Sequence, residues 1–218
     1  MTSSYGRSPD EVRRWPDDAI ARRTLEQYLE GLAADSSAVL TSSSLLNGSG
    51  LDFTGADLSA LELLGAELSD ATMKQVRLIG ADLYTAWLVG ADLQEADLSG
   101  ADLRKTIARG CYARHAIFCR ASMQNSDLSQ SDLTAADLRA AHLQRTSLSG
   151  ADLRKADLRD CVFARTRLTG ANMADCLVER ASGLVIGPVD VGSGTMLDTA
   201  ELQKWFAAHG APDIEVRC

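Results

Sequence analysis

Residues 81–103 read ADLYTAWLVGADLQEADLSGADL. A leucine recurs every five residues, at Leu83, Leu88, Leu93, Leu98 and Leu103, and an alanine stands two places before each. A period of five suits neither common element. On a helix each step of five advances about 140° beyond a full turn, so the leucines would spread around the axis. On a flat strand an odd period would alternate them between faces. One arrangement keeps every leucine inside. The chain bends by about 90° after each five residues, four bends close a square coil, and coils stacked about 4.8 Å apart share hydrogen bonds as β ladders do.

The phase holds without slip from Phe53 to Val178, which makes 26 consecutive centres. Seventeen are Leu, three Phe and three Met; the others are Ala108, Ala113 and Val178. The position two before the centre is mostly Ala, small enough to let adjacent walls meet at a corner. The remaining three positions are mostly Asp, Ser, Thr, Gly, Arg, Lys and Gln, which face water. Every fourth corner reads Asp70, Gly90, Gly110, Gln130, Gly150 and Gly170. Glycine at such spacing supports a four-sided coil, because it tolerates positive φ at a bend. Two small centres in succession, Ala108 and Ala113, would leave a void. Either Phe118 reaches across to fill it, or a bulge turns Ile107 or Tyr112 inward.

Units such as Ala91-Asp92-Leu93, Ala101-Asp102-Leu103 and Ala151-Asp152-Leu153, in one unbroken phase, resemble the pentapeptide-repeat family, whose unit reads A-[DN]-L-x-x. The resemblance implies an all-β solenoid, a right-handed quadrilateral β-helix. The fold class expected is this β-helix with an N-terminal and a C-terminal α-helical cap. The chain divides into a loose polar arm (1–16), an N-terminal helix and Ser/Gly-rich lead-in (17–50), about 6.5 coils of β-helix (51–183), and an irregular last rung with a capping helix (184–218).

The flanks carry helical signals. Asp17 and Asp18 suit a helix N-terminus. Ala21, Leu25, Tyr28, Leu29 and Leu32 follow on one face, so a helix is expected over 17–32. Asp198-Thr199-Ala200-Glu201 resembles a capping box before a helix over 199–209, ended by Gly210 and Pro212. Residues 214–216 read as extended.

Charge is uneven along the 218 residues. The net is −8 overall, −8 within residues 51–103 and +5 within residues 104–183. No apolar run reaches the ~18 residues of a membrane span, and no signal-peptide core opens the chain. A cytoplasmic protein without membrane contact is expected. Of the five cysteines, Cys111, Cys161 and Cys176 take inward corner places, Cys119 faces outward and Cys218 ends the chain. No two inward ones are twenty apart, so free thiols are expected rather than a disulfide framework.

Four features are candidate sites. The aspartates before the centres, Asp57, Asp82, Asp92, Asp97 and Asp102, form an acidic surface on the early coils. The quinolone-resistance relatives implied by the resemblance act on DNA gyrase as DNA mimics. A type II topoisomerase, DNA gyrase or topoisomerase IV, is therefore an implied partner, with no direct nucleic-acid binding. The alternative is that Asp is a solvated turn residue. No face is a continuous acidic strip, and Arg104, Lys105, Arg145 and Arg165 make one face slightly basic. Secondly, Leu64, Ile79, Tyr84, Trp87, Val89 and Ile107, with Tyr112 and Ile117, point outward from the early coils. Such clustering marks an interface: either the N-terminal helix docks there, or a separate protein does. Thirdly, Leu202, Trp205 and Phe206 line one side of the last helix, as a cap or as a homodimer contact of the kind the relatives make. Fourthly, His115 and Cys119 stand four apart around a corner, with His142 and His209 elsewhere. No catalytic triad or metal spacing results, and Gly192-Ser193-Gly194-Thr195 lacks the length and lysine of a P-loop. The expectation is a non-enzymatic protein-interaction module without cofactor or metal. It either binds a type II topoisomerase and confers protection or antibiotic self-resistance, or acts as a general scaffold through its apolar patch.

Overall fold

The structure, a computed structural model, describes residues 5–34, 45–192 and 194–217. The first part of the Ser/Gly-rich lead-in, through residue 44, lies outside them. Each five-residue unit closes on itself through a backbone hydrogen bond and a left-handed corner residue, and many units add a side-chain cap. The carbonyl of the centre accepts the N–H three residues on, as from Ala81 to Leu78 at 3.1 Å. The second corner residue takes left-handed φ, between 55° and 61° at 18 non-glycine positions from Ala60 to Arg180. The residue before the centre then pins the corner. The Asp82 carboxylate accepts the N–H of Tyr84 at 3.0 Å, and Asp57, Asp92, Asp97, Asp102, Asp127, Asp132 and Asp137 repeat that bond two residues on. Aspartate is selected here because its short side chain caps a nearby N–H.

Four such units make a coil, and coils pair in parallel at a register of twenty. Glu62 pairs with Asp82 and Asp82 with Asp102; Glu67 pairs with Trp87 and Trp87 with Ile107. The centre N–H donates up the stack, as from Leu83 to the carbonyl of Asp102 at 2.8 Å. In the later coils the pairing lengthens into strands β1 (His142–Gln144), β2 (Val162–Arg167) and β3 (Ser182–Ile186). These and β6 (Ile214–Arg217) form one parallel sheet in the order β1-β2-β3-β6. The inward leucines, alanines, phenylalanines and methionines form a single buried column from Phe53 to Val178.

Where a corner position holds Thr or Ser instead of Ala, the buried hydroxyl still finds an acceptor. Thr106 donates to the carbonyl of Leu83 and Thr146 to that of Met123, while Ser126 and Ser131 donate three residues back. At Ala108 a void of about 10 Å³ remains, walled by Leu88, Leu103, Phe118 and Leu128 among others. Phe118 is buried against it, whereas Tyr112 is exposed and Ile107 half-buried on the outside. The phase therefore continues without a bulge, and Phe118 fills most of the space.

Both ends depart from the simple repeat. The ladder begins one unit earlier than Leu51: Asn47 pairs with Glu67, and Gly48 stands at a centre position. A Cβ on Gly48 would lie 2.8 Å from the Phe53 ring, so the ring occupies the space a leucine would fill. The N-terminal arm is not loose over residues 5–14. Gly6 pairs with Leu61, Arg14 pairs antiparallel with Asp57, and a short 3-10 turn at Pro9–Glu11 joins them. Helix α1 (Ala19–Ala34) starts at Asp18, whose carboxylate accepts the N–H groups of Ile20 and Ala21. Its buried residues are Ala21, Leu25, Tyr28, Leu29 and Leu32, and the Tyr28 hydroxyl donates to the carbonyl of Glu62 at 2.9 Å.

After Val178 the coil shortens. Ser182 still lies twenty residues from its partner Val162, but Val185 pairs with Thr166 and Asp190 with Asn172. One residue is lost at each of two corners. A short antiparallel pair, β4 (Val189–Asp190) and β5 (Met196–Leu197), leads to helix α2 (Thr199–Ala208). The chain then returns as β6 along the free edge of β3. The Gln203 side chain on α2 bonds the carbonyl of Ile214 and the N–H of Val216, which ties helix to strand.

Candidate interaction surface

The aspartates of the early coils are engaged locally before any partner is considered. Each holds its own corner N–H, as above. Asp57 also pairs with Arg77 at 3.5 Å, Asp92 with Lys74 at 3.2 Å and Asp102 with Arg104 at 2.5 Å. Asp97 accepts bonds from the backbone and hydroxyl of Ser99. Later coils use the same device: in each Asp-Leu-Arg unit the arginine folds back on its aspartate, at Asp137, Asp152 and Asp157. Hydrogen bonds from Arg139 and Arg154 hold Asp137 and Asp152 below the usual carboxylate range. Other arginines reach the next coil, Arg109 to Asp127 and Arg114 to Asp132. These exposed pairs are individually weak, of order 0–1 kcal/mol. They nevertheless break up the field that a continuous row of phosphate-like charges would require.

Asp82 is different. It lies between Glu62 and Asp102 in one column. Among the described residues it has no ion-pair partner. Burial, then the neighbouring carboxylates, raises its pKa above the ordinary value.

The apolar candidates separate into two groups. Tyr84 lies under the cations of Arg104 and Lys105, at 5.3 and 5.1 Å from the ring centre. Leu64, Ile79, Val89 and Ile107 are half-buried. Trp87 is 45% exposed and Tyr112 55%. Trp87 and Ile107 are ladder neighbours, Val89 lies two residues along, and Tyr112 opens the adjacent face. Helix α1 leaves Trp87 and Tyr112 open, and its Tyr28 hydroxyl bonds the carbonyl of Glu62 in the first coil.

On α2, Leu202 and Phe206 are fully buried inside the chain, so neither can contact a second copy. Trp205 remains partly exposed, with His209 stacked on it at 4.3 Å. The chemistry-bearing groups stay apart: His115 closes one face, Cys119 lies on the next, and His142 pairs on a third. Among the described residues no group of His, Cys, Asp or Glu could hold a metal ion. Cys111, Cys161 and Cys176 are buried, and burial pushes their thiols up to about 12. No helix among the described residues is long and apolar enough to cross a membrane.

Sequence reasoning missed the pairing of arginines with aspartates one coil away. The signal was available in principle, as an Arg eighteen or twenty residues from an Asp.

The family model for pentapeptide repeats matches residues 52–86, 77–111, 96–134 and 136–175, with eight copies in all. The chain belongs to the pentapeptide-repeat family. Among solved structures of the family, full-length QnrB1, a plasmid-mediated fluoroquinolone resistance protein, aligns with a TM-score of 0.60 at 14% identity. That alignment covers 78% of this chain and 93% of QnrB1. HetL, involved in heterocyst differentiation regulation in the cyanobacterium Nostoc sp. strain PCC 7120, aligns at 25% identity with a TM-score of 0.37, over 78% of this chain and 84% of HetL. A pentapeptide-repeat protein of the Arabidopsis thaliana thylakoid lumen aligns at 24% identity with a TM-score of 0.25, over 68% of this chain and 86% of that one. No curated protein matches the chain. Family membership and the likeness to QnrB1 give the stacked coils their hand: the pentapeptide repeats form a right-handed β-helix.

Proposed function

We propose that this pentapeptide-repeat protein is a non-enzymatic protein-interaction module that presents the Trp87–Ile107 column on a stiff rod. In this reading α1 and α2 act as caps that keep the ends of the leucine column from water and from other chains. The observation that carries the proposal is the exposure of Trp87 and Tyr112, where the other outward apolar residues of the early coils, Val89 and Ile107 among them, are half-buried. Large aromatics on a rigid backbone lose little entropy on binding and often dominate interface energy. Glu67 borders Trp87 in the column, and Asp70 lies on the same face. The partner that fits is a protein segment with an apolar side chain beside a basic one. Trp87→Ala should leave the fold intact and weaken partner binding by about 2 kcal/mol or more. Capture on immobilised wild-type and Trp87→Ala chains, followed by titration of the captured protein, measures this. Equal affinity for both chains sinks the reading.

The finer reading is that the partner is DNA gyrase or topoisomerase IV. Support comes from the likeness in fold to a fluoroquinolone resistance protein and from the acids around Asp82 and Asp97. The engagement of most early aspartates in turns and ion pairs argues for recognition of a local acidic-apolar patch over mimicry of a whole duplex. A supercoiling assay with gyrase, with and without a fluoroquinolone, decides it; no effect at large molar excess excludes it. In this proposal a homodimer through α2 would rest on Trp205, and sedimentation of Trp205→Ala against wild type tests that contact.

A further inference from the structure

Twelve arginines lie within residues 51–183, and eight of them have an aspartate partner. Among the described residues Arg120, Arg145, Arg165 and Arg167 form no ion pair. Three of these four meet at one corner. Arg145 and Arg165 occupy the same corner position one coil apart, both with left-handed φ. Arg167 lies two residues on, on the next face. Together with Asn125 and Ile186 they line an open hollow of about 450 Å³. Ile186 pairs in turn with Arg217 of β6, which adds a fourth cation on the neighbouring strand.

The sequence reason is a local failure of the repeat's own rule. In seven of the eight pairs an aspartate before the centre receives the arginine; the eighth, Arg180, pairs with Asp160 at its own corner position one coil below. Here the column before the centre reads Ser122, His142, Val162 and Ser182, and Arg167 itself takes the place of the aspartate on the next face. The acids have gone and the cations remain, stacked at one-rung spacing where like charges repel. Asp213 and Glu215 line an adjacent hollow that shares Arg165, yet neither comes within ion-pair distance of it.

We propose that this corner is an anion site for a phosphate chain, the group shared by tripolyphosphate and nucleoside triphosphates. Each guanidinium offers a planar fork of donors that matches a phosphate, and three forks within roughly 5 Å of rung spacing demand closely spaced acceptors. The carboxylates on one side of an extended acidic peptide lie about 7 Å apart, too far to serve neighbouring rungs. The lining has no aromatic ring on which a base could stack. Recognition therefore falls on the phosphates, and a duplex would find too short a basic stripe.

Isothermal titration at low salt with tripolyphosphate, ATP and a short DNA duplex tests the site. The variants are Arg145→Gln combined with Arg165→Gln, and Arg120→Gln as a control on another face. Glutamine is safe at these corners, because Gln75 and Gln130 already hold the same left-handed turn. Saturable one-to-one binding of tripolyphosphate and ATP with similar affinity is expected. The double variant should lose at least about tenfold in affinity, and Arg120→Gln should lose none. Tripolyphosphate should also raise the melting temperature of wild type but not of the double variant. Without ligand the double variant should melt no lower than wild type, since it relieves repulsion. Absence of binding, an equal loss in Arg120→Gln, binding of ATP alone, or tighter binding of the duplex would each overturn the proposal.

Discussion

At the scale of single residues, the repeat is a compromise between backbone strain and side-chain chemistry. Every fifth residue adopts left-handed φ, which costs a non-glycine residue about 1–2 kcal/mol. Two positions in one column isolate that cost. Ala140 has φ 56° and Gly100 has φ 65° with no atom near the site of a Cβ. Ala140→Gly should stabilise the fold by about 0.5–1 kcal/mol, and Gly100→Ala should destabilise it by a similar amount. Thermal melts of the two variants check both signs. Asp82 offers a second residue-scale test. Its raised pKa means that the ionised form is disfavoured in the fold. The penalty is fully present above the raised value and is relieved as pH falls through it towards the ordinary aspartate value. Asp82→Asn keeps an acceptor for the Tyr84 N–H and removes the charge. It should therefore raise the melting temperature at neutral pH, and the advantage should shrink in mildly acidic buffer. An advantage independent of pH would point to some other cause.

At the scale of elements, what could be read from the sequence was whatever repeats. Side-chain period fixes which residues face inward, and the 26 centres carried that information redundantly. Helix α2 was also legible, because Asp198 and Gly210 bracket a stripe that includes Leu202 and Phe206. The pairing of Gly6 with Leu61 and of Arg14 with Asp57 was not legible, since backbone groups make those contacts and any sequence could supply them. An apolar stripe on α1 announced that something covers it, but a stripe has no address. The weak coil at Ala108 falls between these cases: the sequence located the gap, and packing determined how it closes. The residual void is at the lower limit for one water, and the Thr106 and Ser126 hydroxyls beside it are already bonded to carbonyls. It is therefore dry and lacks contacts on one side. Ala108→Val should fill it and stabilise the fold by about 1 kcal/mol, while Ala108→Trp should overpack the column and destabilise it. Chemical unfolding of both variants measures the pair.

At the scale of the whole molecule, contacts run between neighbouring coils, so properties are local along the axis. This explains why the candidate sites were less legible than the fold. An aspartate reads identically in sequence whether it caps a turn, neutralises an arginine one coil away or faces a partner. Only the stack decides, as it does for Asp57 beside Arg77 and for Asp82 between Glu62 and Asp102. The outward tryptophan was visible because it violates the pattern; the arginine corner became a site only once its missing partners could be counted.

The twenty-residue register has one more consequence. Trp87, Ile107, Asp127, Ser147 and Arg167 are successive members of a single column, so the tryptophan and the nearer edge of the arginine corner share a face about 19 Å apart. The chain works like a gear train in this respect. An insertion or deletion of five residues between the two would swing everything downstream by a quarter turn and point the sites in different directions. One of twenty would slide them apart or together by a single notch and keep both aimed at the same side. Change in the length of this protein is thereby quantised, and only whole coils can be gained or lost without changing its aim.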